Sequence, residues 1–446
     1  MSDPLSDAVL AQVQPEELAR CPVPESFLAA CLHREDEDLF AADEESDVRR
    51  TIHLDEVPMP QLAADEVLVA VMASAVNYNT VWSATFKPMS TFRFLDRYGK
   101  TGNEGARHAL NYHIVGSDGA GVVVRTGSLV RHWKVGDKVV ISPLHTDDQD
   151  PMAQRDGMLP EEQRAWGFET NFGGLAHYTI VRATQVLPKP PHLSWEEAAC
   201  NTLCLMTAYR MLISDRGASM RLGDLVLVWG ATGGLGVYAT QLAHAAGGRV
   251  VGVVSSKAKA DLALQNGCDF VLDRSDFGPL DGDDSRAFAT WREMGAAIRG
   301  EFGNDPNIVF EHVGRQTFGA SVFLASRGGT IVTCGSSTGY RHEFDNRFLW
   351  MRLKRIIGSH GGNYQEAWEA NRLLERGVVS PGLSKVYALR EVGEAVREMQ
   401  LNAHVGKIGV LCLAPRRGEG IDDPELRERI GEERLTRFEH STNAAG

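Results

Sequence analysis

Between residues 225 and 254, apolar runs alternate with glycine in a pattern that predicts a strand, a tight turn, a helix and a second strand. Leu225 to Val228 form an apolar run too short for a free-standing helix, which favours a strand buried in a parallel sheet. A helix over 237–246 ends at two glycines, and 250–254 is the next strand. The turn between the first strand and the helix comprises Gly230, Ala231, Thr232, Gly233, Gly234, Leu235 and Gly236.

This order is typical of a dinucleotide-binding unit. Gly233 and Gly236 have no Cβ atoms, so the backbone can approach a pyrophosphate, whose charge suits the N–H groups at the start of the helix. The alternative is an ordinary strand-to-helix turn. The full succession of strand, glycines, helix and strand favours the nucleotide.

The end of the second strand indicates which dinucleotide binds. A carboxylate there binds the ribose 2′-hydroxyl of NAD and repels a 2′-phosphate, but the chain has Ser255, Ser256 and Lys257. Two hydroxyls and an ammonium group favour NADPH. The alternative for Lys257 is a solvated turn residue.

Further apolar patterns predict the rest of the fold, which is of the α/β class. A helical extension is expected over the acidic residues 1–50, and a solvated helix over the last thirty. The remaining elements are expected as strands at 66–71, 114–124 and 135–141, a helix at 194–213, strands at 307–311, 329–335 and 353–358, a helix at 365–376 and a strand at 407–413. A surface insertion is expected at 276–286.

These elements predict a Rossmann-type, doubly wound parallel sheet and a small β-barrel domain. The barrel domain would carry the substrate chemistry on its loops. The predicted limits are 1–50 for the extension, 51–208 for the first part of the barrel domain, 209–357 for the nucleotide domain and 358–446 for the return to the barrel domain.

Composition limits the partners. The net charge of -13 argues against nucleic acid and against an anionic membrane surface, because each needs a basic face. Apolar runs stay below the ~18 residues of a membrane-spanning helix, and the N-terminus has no signal-peptide pattern, so we predict a cytoplasmic protein. The seven cysteines lack metal-ligand spacing, and we expect free thiols and no metal.

Seven sequence strings carry a family resemblance: NYNTVWSATF (77–86), YHIVGSDGAGVVVRTG (112–127), QRAWGFETNFGGLAHYT (163–179), TAYRML (207–212), LVWGATGGLG (227–236), EHVGRQTF (311–318) and RLKRIIGSH (352–360). They resemble crotonyl-CoA carboxylase/reductases, zinc-independent members of the medium-chain dehydrogenase/reductase superfamily. The resemblance covers about 45–415, and at Gly116-Ser117-Asp118 the chain lacks the catalytic-zinc motif of alcohol dehydrogenases. It implies a GroES-like barrel domain, NADPH, carbon dioxide as co-substrate, an acyl-CoA substrate, and a homodimer or a homotetramer.

The same resemblance implies a carbon dioxide pocket made by Asn79, Phe168, Glu169 and His360. Asn79 and His360 would donate hydrogen bonds to a CO2 oxygen, Glu169 would orient His360, and Phe168 would keep water from the enolate. The enolate, formed by hydride addition to an enoyl-CoA such as crotonyl-CoA, would attack CO2 to give an alkylmalonyl-CoA such as ethylmalonyl-CoA. From the residues alone, 77–82 and 166–174 fit packed loops with capping polar groups equally well.

Substrate and cofactor contacts complete the expected site. The resemblance implies that Arg347 contacts CoA, within a local basic cluster completed by Arg352, Lys354 and Arg355. The alternative for these three is a dimer-edge or solvent position. Two pairs depart from the family pattern and indicate an acyl group other than crotonyl: Gly361 and Gly362, which open space, and Leu205 and Met206, which fill it. Cys334 and Gly335 end a strand and are expected to line the cofactor.

Two alternatives remain open at this stage. A plain NADPH-dependent enoyl-thioester reductase would protonate the enolate, and a non-catalytic relative would only bind NADPH. The complete set of four pocket residues argues against the first, and the intact site loops argue against the second.

Overall fold

The computed structural model describes residues 3–41, 46–281 and 285–443, with side chains up to 440. The chain forms two compact units, each taken as far as it is described. The β-rich unit comprises Met1–Leu203 and Asn363–Thr442, and the α/β unit comprises Cys204–Gly362 and Asn443–Gly446. The domain limits expected from the sequence stay predictions.

The elements before Leu203 belong to the β-rich unit. The helices are α1 (Pro4–Leu10), α2 (Pro15–Leu18), α3 (Tyr78–Thr85), α4 (Phe92–Tyr98), α5 (Asn103–Ala106), α6 (Pro151–Arg155) and α7 (Trp195–Ala199). The strands are β1 (Ser26–His33), β2 (His53–Pro58), β3 (Glu66–Val76), β4 (Tyr112–Ile114), β5 (Gly119–Thr126), β6 (Lys138–Ile141), β7 (Leu144–His145), β8 (Arg164–Ala165), β9 (Tyr178–Arg182) and β10 (Val186–Pro188).

The chain then enters the α/β unit and later returns. The next helices are α8 (Thr202–Leu212), α9 (Gly234–Ala245), α10 (Ala260–Gln265), α11 (Ser285–Phe302), α12 (Arg315–Leu324) and α13 (Asn346–Trp350), with strands β11 (Leu225–Trp229), β12 (Arg249–Val254), β13 (Phe270–Asp273), β14 (Ile308–Glu311), β15 (Thr330–Thr333) and β16 (Arg355–Gly358). The return comprises α14 (Tyr364–Glu375), β17 (Leu383–Ala388), α15 (Val392–Gln400), β18 (Lys407–Leu411), α16 (Pro424–Ile430), α17 (Glu432–Leu435) and α18 (Arg437–Asn443).

The α/β unit is built on one parallel sheet with the strand order β13-β12-β11-β14-β15-β16. This is the doubly wound order that the sequence predicts. Strand β11 lies in the middle and is buried along its whole length, as its unbroken apolar run indicates. The order of the strands reverses between β11 and β14, which is where such sheets bind nucleotides.

The β-rich unit is built on a seven-stranded sheet with the order β10-β6-β5-β3-β18-β17, in which β9 also pairs with β3. Strand β18 pairs antiparallel with β3, so the C-terminal return completes a sheet that the N-terminal part begins. Val81 of α3 and Val396 of α15 pack into the same core as Val76 and Ile408 of these two strands. This core fixes the start of α3, which carries Asn79.

The structure corrects four expectations in the β-rich unit. Within 1–50, α1 and α2 are helices, but Ser26–His33 forms β1, whose apolar residues pair with β2 and β4. The segment 77–82 begins helix α3 rather than a loop. The helix expected at 194–213 is interrupted because Asn201 donates to the carbonyls of Glu197 and Ala198. The last helix is three short ones that bury Leu435 and Phe438.

Other expectations meet the limits of the described residues. The extension expected at 1–50 includes 1–2 and 42–45, and the insertion expected at 276–286 includes 282–284, all of which lie outside them. Each of the seven cysteines is a free thiol, as expected. Among the described helices, none combines the length and the apolar character that crossing a bilayer requires.

Candidate active site

The glycine turn after β11 has the geometry that a pyrophosphate requires. Gly230 has a φ of 59°, a conformation that favours glycine, and Gly233 is the N-cap of α9. A Cβ atom on Gly236 would lie 2.1 Å from the carbonyl oxygen of Gly230. Only glycine therefore lets α9 begin so close to the strand, and the free N–H groups of its first turn fit the phosphates of a dinucleotide.

The segment after β12 presents hydroxyl groups and cations. Ser255 and Lys257 are exposed, and Ser256 is half-buried. Lys259, which the sequence pattern did not indicate, lies two residues further on, and burial lowers its pKa. The segment fits a 2′-phosphate, and the cofactor residues expected here stay predictions.

His312 follows directly after β14 and contacts the end of β11, at the point where the strand order reverses. Its Nε2 donates to the carbonyl oxygen of Trp229 at 2.8 Å, and a Cβ atom on Gly230 would lie 3.4 Å from the imidazole ring. Burial lowers the pKa of His312, so the ring is neutral and its proton sits on Nε2. The ring therefore supports the glycine turn from the neighbouring strand.

The ends of β14 and β15 are tied together. The backbone N–H of Cys334 donates to the carbonyl oxygen of Glu311 at 3.2 Å. Burial, with Cys204 nearby, raises the pKa of the Cys334 thiol to about 12, so this cysteine stays protonated and is not a nucleophile. Gly335 has a φ of 67° and open space where a Cβ would lie, which leaves its surface accessible to a cofactor.

Asn79 has an unsatisfied amide. Its Nδ2 donates to the hydroxyl of Ser117 at 2.8 Å, while its Oδ1 is buried and has no partner in the described structure. The amide group fits equally well after a 180° rotation that exchanges Oδ1 and Nδ2. The Ser117 hydroxyl then donates to Oδ1, and Nδ2 is the unpaired donor. In either orientation one buried polar atom of the amide has no partner in the described structure. Because an unpaired buried polar atom costs free energy, this atom indicates a place for a ligand.

The loop after β8 places Phe168 and Glu169 next to the same turn. A Cβ atom on Gly167 would lie 2.0 Å from the carbonyl oxygen of Gly116, so the loop packs directly on the residue before Ser117. The Glu169 carboxylate accepts from the backbone N–H of Ala165 at 2.8 Å, which fixes the loop. The loop that carries Phe168 and Glu169 therefore packs beside the turn that holds Ser117, the partner of Asn79.

The fourth expected pocket residue, His360, belongs to the α/β unit and is exposed there, two residues after β16. Gly361 follows with a φ of 52°. A Cβ atom on Gly362 would lie 3.1 Å from the carbonyl oxygen of Met206 and 3.4 Å from its Cβ. Met206 and its neighbour Leu205 are buried in α8. The two pairs that depart from the family pattern are thus neighbours in the structure. The absence of a side chain at Gly362 leaves room for the large side chain of Met206.

Two family models match the chain, the alcohol dehydrogenase GroES-like domain over 63–191 and the zinc-binding dehydrogenase over 234–376. The crotonyl-CoA reductase of Streptomyces avermitilis is 52% identical over 428 residues, 94% of this chain and 96% of that protein. The crotonyl-CoA carboxylase/reductase of Cereibacter sphaeroides is 40% identical over 380 residues, 83% and 85% of the two chains. The chain belongs to the crotonyl-CoA carboxylase/reductase family.

A solved family structure is also similar along the whole chain. The 2-octenoyl-CoA carboxylase reductase CinF, in complex with NADP and 2-octenoyl-CoA, has 55% sequence identity and a TM-score of 0.95, and the match covers 98% of each chain. The predicted family and the fold of GroES-like and Rossmann-type domains are confirmed. The chain is an NADPH-dependent oxidoreductase, as the resemblance implied.

A carboxylase/reductase needs cations for the phosphates of CoA, and the expected basic cluster is only partly accessible. Arg347 is exposed and pairs with Asp345 at 2.6 Å, and Arg352 is exposed as well. Lys354 is buried, and its Nζ donates to the carbonyls of Val322 at 2.6 Å and Phe323 at 3.1 Å. Lys354 is therefore a structural residue, and including it in the CoA cluster was wrong.

Sequence reasoning missed three residues that lie beside the expected site residues. They are Ser117, which bonds to Asn79, His312, which bonds to Trp229, and Lys259, which is partly buried. A sequence does not show such contacts or burial. Ser117 and His312 lie in strings that carry the family resemblance, and this was the only indication of them in the sequence.

Proposed function

We propose that the chain reduces the β-carbon of an α,β-unsaturated acyl-CoA and carboxylates its α-carbon to give an alkylmalonyl-CoA. NADPH supplies the hydride when it is bound. Crotonyl-CoA would give ethylmalonyl-CoA, and the complex of the relative with 2-octenoyl-CoA supports a longer substrate for this chain. The observation that carries the carboxylation step is the Asn79 amide, which has one atom on Ser117 and the other buried without a partner in the described structure.

Carbon dioxide has no net charge and no dipole, so a pocket cannot hold it strongly before the reaction. The pocket must position it and stabilise the carboxylate that forms. We assign the Asn79 N–H as one donor to that charge, and His360 as a second donor, directly or through a water. Phe168 would supply an apolar surface against water, and Glu169, whose one oxygen accepts from the Ala165 N–H, would orient a donor with the other oxygen.

An assay of the purified enzyme tests this proposal. NADPH oxidation is followed with crotonyl-CoA and with 2-octenoyl-CoA, with and without bicarbonate, and the CoA esters are identified by mass spectrometry. We expect alkylmalonyl-CoA only with bicarbonate. Saturated acyl-CoA under both conditions would identify a plain reductase, and no NADPH oxidation would identify a binding protein.

Replacement of Lys257 by alanine tests the cofactor contact. Because the exposed ammonium group would pair with the 2′-phosphate, we expect NADPH binding to weaken by roughly 1 to 3 kcal/mol, the range for hydrogen bonds to charged groups. The kcat/KM for NADH serves as the internal control and should not change. Equal kcat/KM values for NADH and NADPH in the parent protein would refute the assignment.

Replacement of Gly362 by phenylalanine tests the acyl pocket. Since a Cβ at this position already lies 3.1 Å from the backbone of Met206, the ring must turn into the remaining space and should exclude longer acyl chains. We expect kcat/KM to fall with chain length from C4 to C8 in the variant and to stay broad in the parent. Gly300→Phe, at an exposed helical position with open space, is the matched control. A steep fall beyond C4 in the parent would show that Leu205 and Met206 close the pocket.

We also propose that the chain assembles as a homodimer or a homotetramer. Strand β16 is an edge of the parallel sheet, and its side chains are mostly exposed. Trp350, Met351, Leu353 and Ile356 form an exposed apolar run on and before it. An exposed edge with apolar residues favours pairing with a second copy. Light scattering on the protein as it elutes from a gel-filtration column measures the mass of the assembly.

A further inference from the structure

Two histidines and two aspartates cluster at the end of the β1–β2 ribbon, in a part of the β-rich unit that the reaction does not use. His33 ends β1, and Asp36 follows it in a single 3₁₀ turn. His53 and Asp55 lie on β2, two residues apart and so on one face of the strand. The register pairs His53 with Cys31 of β1, which places His33 on the same face of the ribbon.

The four side chains form two pairs that touch each other. Nε2 of His33 lies 2.7 Å from Oδ2 of Asp55, and Nε2 of His53 lies 2.7 Å from Oδ2 of Asp36. The two imidazole rings are stacked, with centroids 4.1 Å apart. One donor atom from each of His33, Asp36 and His53 lies within 4.8 Å of the other two. All four side chains are partly exposed, so an ion can reach them from solvent.

The charges of the cluster suit a divalent ion. With both imidazoles neutral, the carboxylates of Asp36 and Asp55 place two negative charges in one small site, and a divalent ion balances them. Imidazole and carboxylate are also the nitrogen and oxygen donors that Zn²⁺ takes in proteins, with four ligands at about 2.0 to 2.2 Å.

We propose that His33, Asp36 and His53 bind a divalent transition-metal ion of the Zn²⁺ type, and that Asp55, which contacts the ring of His33, adds its negative charge beside the ion. The rings lie nearly parallel, so one of them must turn about its Cβ–Cγ bond for both nitrogens to point at a single ion. The bound ion would join the end of β1 and the turn after it to β2, and would stabilise the fold of this ribbon. The expectation that the reaction itself uses no metal is unaffected.

Zinc binding by the full-length protein, after removal of metal by a chelator, tests the proposal. Thiols in general have affinity for Zn²⁺ and the chain has seven of them, so the comparison between variants decides the result. His53→Gln removes one proposed ligand, and His132→Gln, at an exposed position of the same unit, is the matched control. Isothermal titration should show that His53→Gln loses one Zn²⁺ per chain or binds it at least about 10-fold more weakly, while His132→Gln matches the parent.

Two further measurements support the assignment independently of activity. Co²⁺ should give the visible absorption of a four-coordinate site in the parent and not in His53→Gln. Zn²⁺ should raise the Tm of the parent by about 2 to 4 °C and leave that of His53→Gln unchanged. Asp36→Asn replaces His53→Gln if the latter does not fold. Equal Zn²⁺ binding by His53→Gln and His132→Gln, or no binding by the parent, would overturn the proposal and leave two hydrogen-bonded His–Asp pairs.

Discussion

Replacement of Asn79 by leucine is expected to spare hydride transfer and to move the product from alkylmalonyl-CoA to saturated acyl-CoA. The amide that meets CO2 is lost, while water can still protonate the enolate. A change of about 1 to 3 kcal/mol in the competing barriers corresponds to roughly 5-fold to 150-fold in the product ratio. Mass spectrometry of the CoA esters under limiting bicarbonate measures this ratio, and NADPH oxidation measures hydride transfer.

Three further variants sharpen this test. His360→Asn should shift the products in the same direction. Ser117→Ala should have a smaller effect, because it frees the amide to rotate without removing it. Asn103→Leu, at an exposed position of the same unit, should leave the ratio unchanged. If both Asn79→Leu and His360→Asn kept the carboxylated fraction of the parent, the carbon dioxide pocket would have to lie elsewhere.

Glu169 should act more weakly than either donor. Its proposed role is to orient His360, so combining changes at Glu169 and His360 should give less than the sum of the two separate effects. Additive effects in the double variant would contradict this role. The same product ratio measures each of the three variants.

The nucleotide turn could be predicted from sequence because its constraints are local. The backbone at position 230 has a positive φ, and position 236 has no room for a Cβ atom. Each constraint requires glycine, independently of the rest of the chain. The contacts of Ser117 and His312 join residues 38 and 83 positions apart. Nothing in the local pattern around either residue indicates its partner, so only the fold reveals them.

The wrong predictions have the same physical origin. β1 was missed because its apolar run lies between acidic segments, and its strand partners β2 and β4 come later in the chain. The helix from Tyr78 was taken as a loop because its aromatic and β-branched residues are poor helix formers, and its stability comes from packing in the core with α15. Lys354 looked like a surface cation, although its stem and ammonium group are buried.

A buried ion pair next to Ser117 connects several elements of the β-rich unit, and breaking it should be costly. Lys407 and Asp118 lie 3.0 Å apart, with side chains 1% and 0% exposed. Asp118 also accepts from the backbone N–H of Leu203 at 2.9 Å and from Nδ2 of Asn77 at 2.8 Å. Lys407 also donates to the carbonyl oxygen of Val76 at 3.1 Å. The pair thus joins β18, β3 and the turn that carries Ser117.

Replacement of Lys407 by methionine keeps the volume but leaves the Asp118 carboxylate buried without its cation. We expect the free energy of unfolding to fall by about 3 to 5 kcal/mol, measured by urea denaturation. Lys385→Met, on the neighbouring strand β17, is the matched control, because its pair with Glu398 is half exposed and should cost at most about 1 kcal/mol. Adding Asp118→Asn to Lys407→Met should recover part of the loss, since the uncompensated charge is then removed. Equal costs for Lys407→Met and Lys385→Met would show that the buried pair does not hold the turn in place.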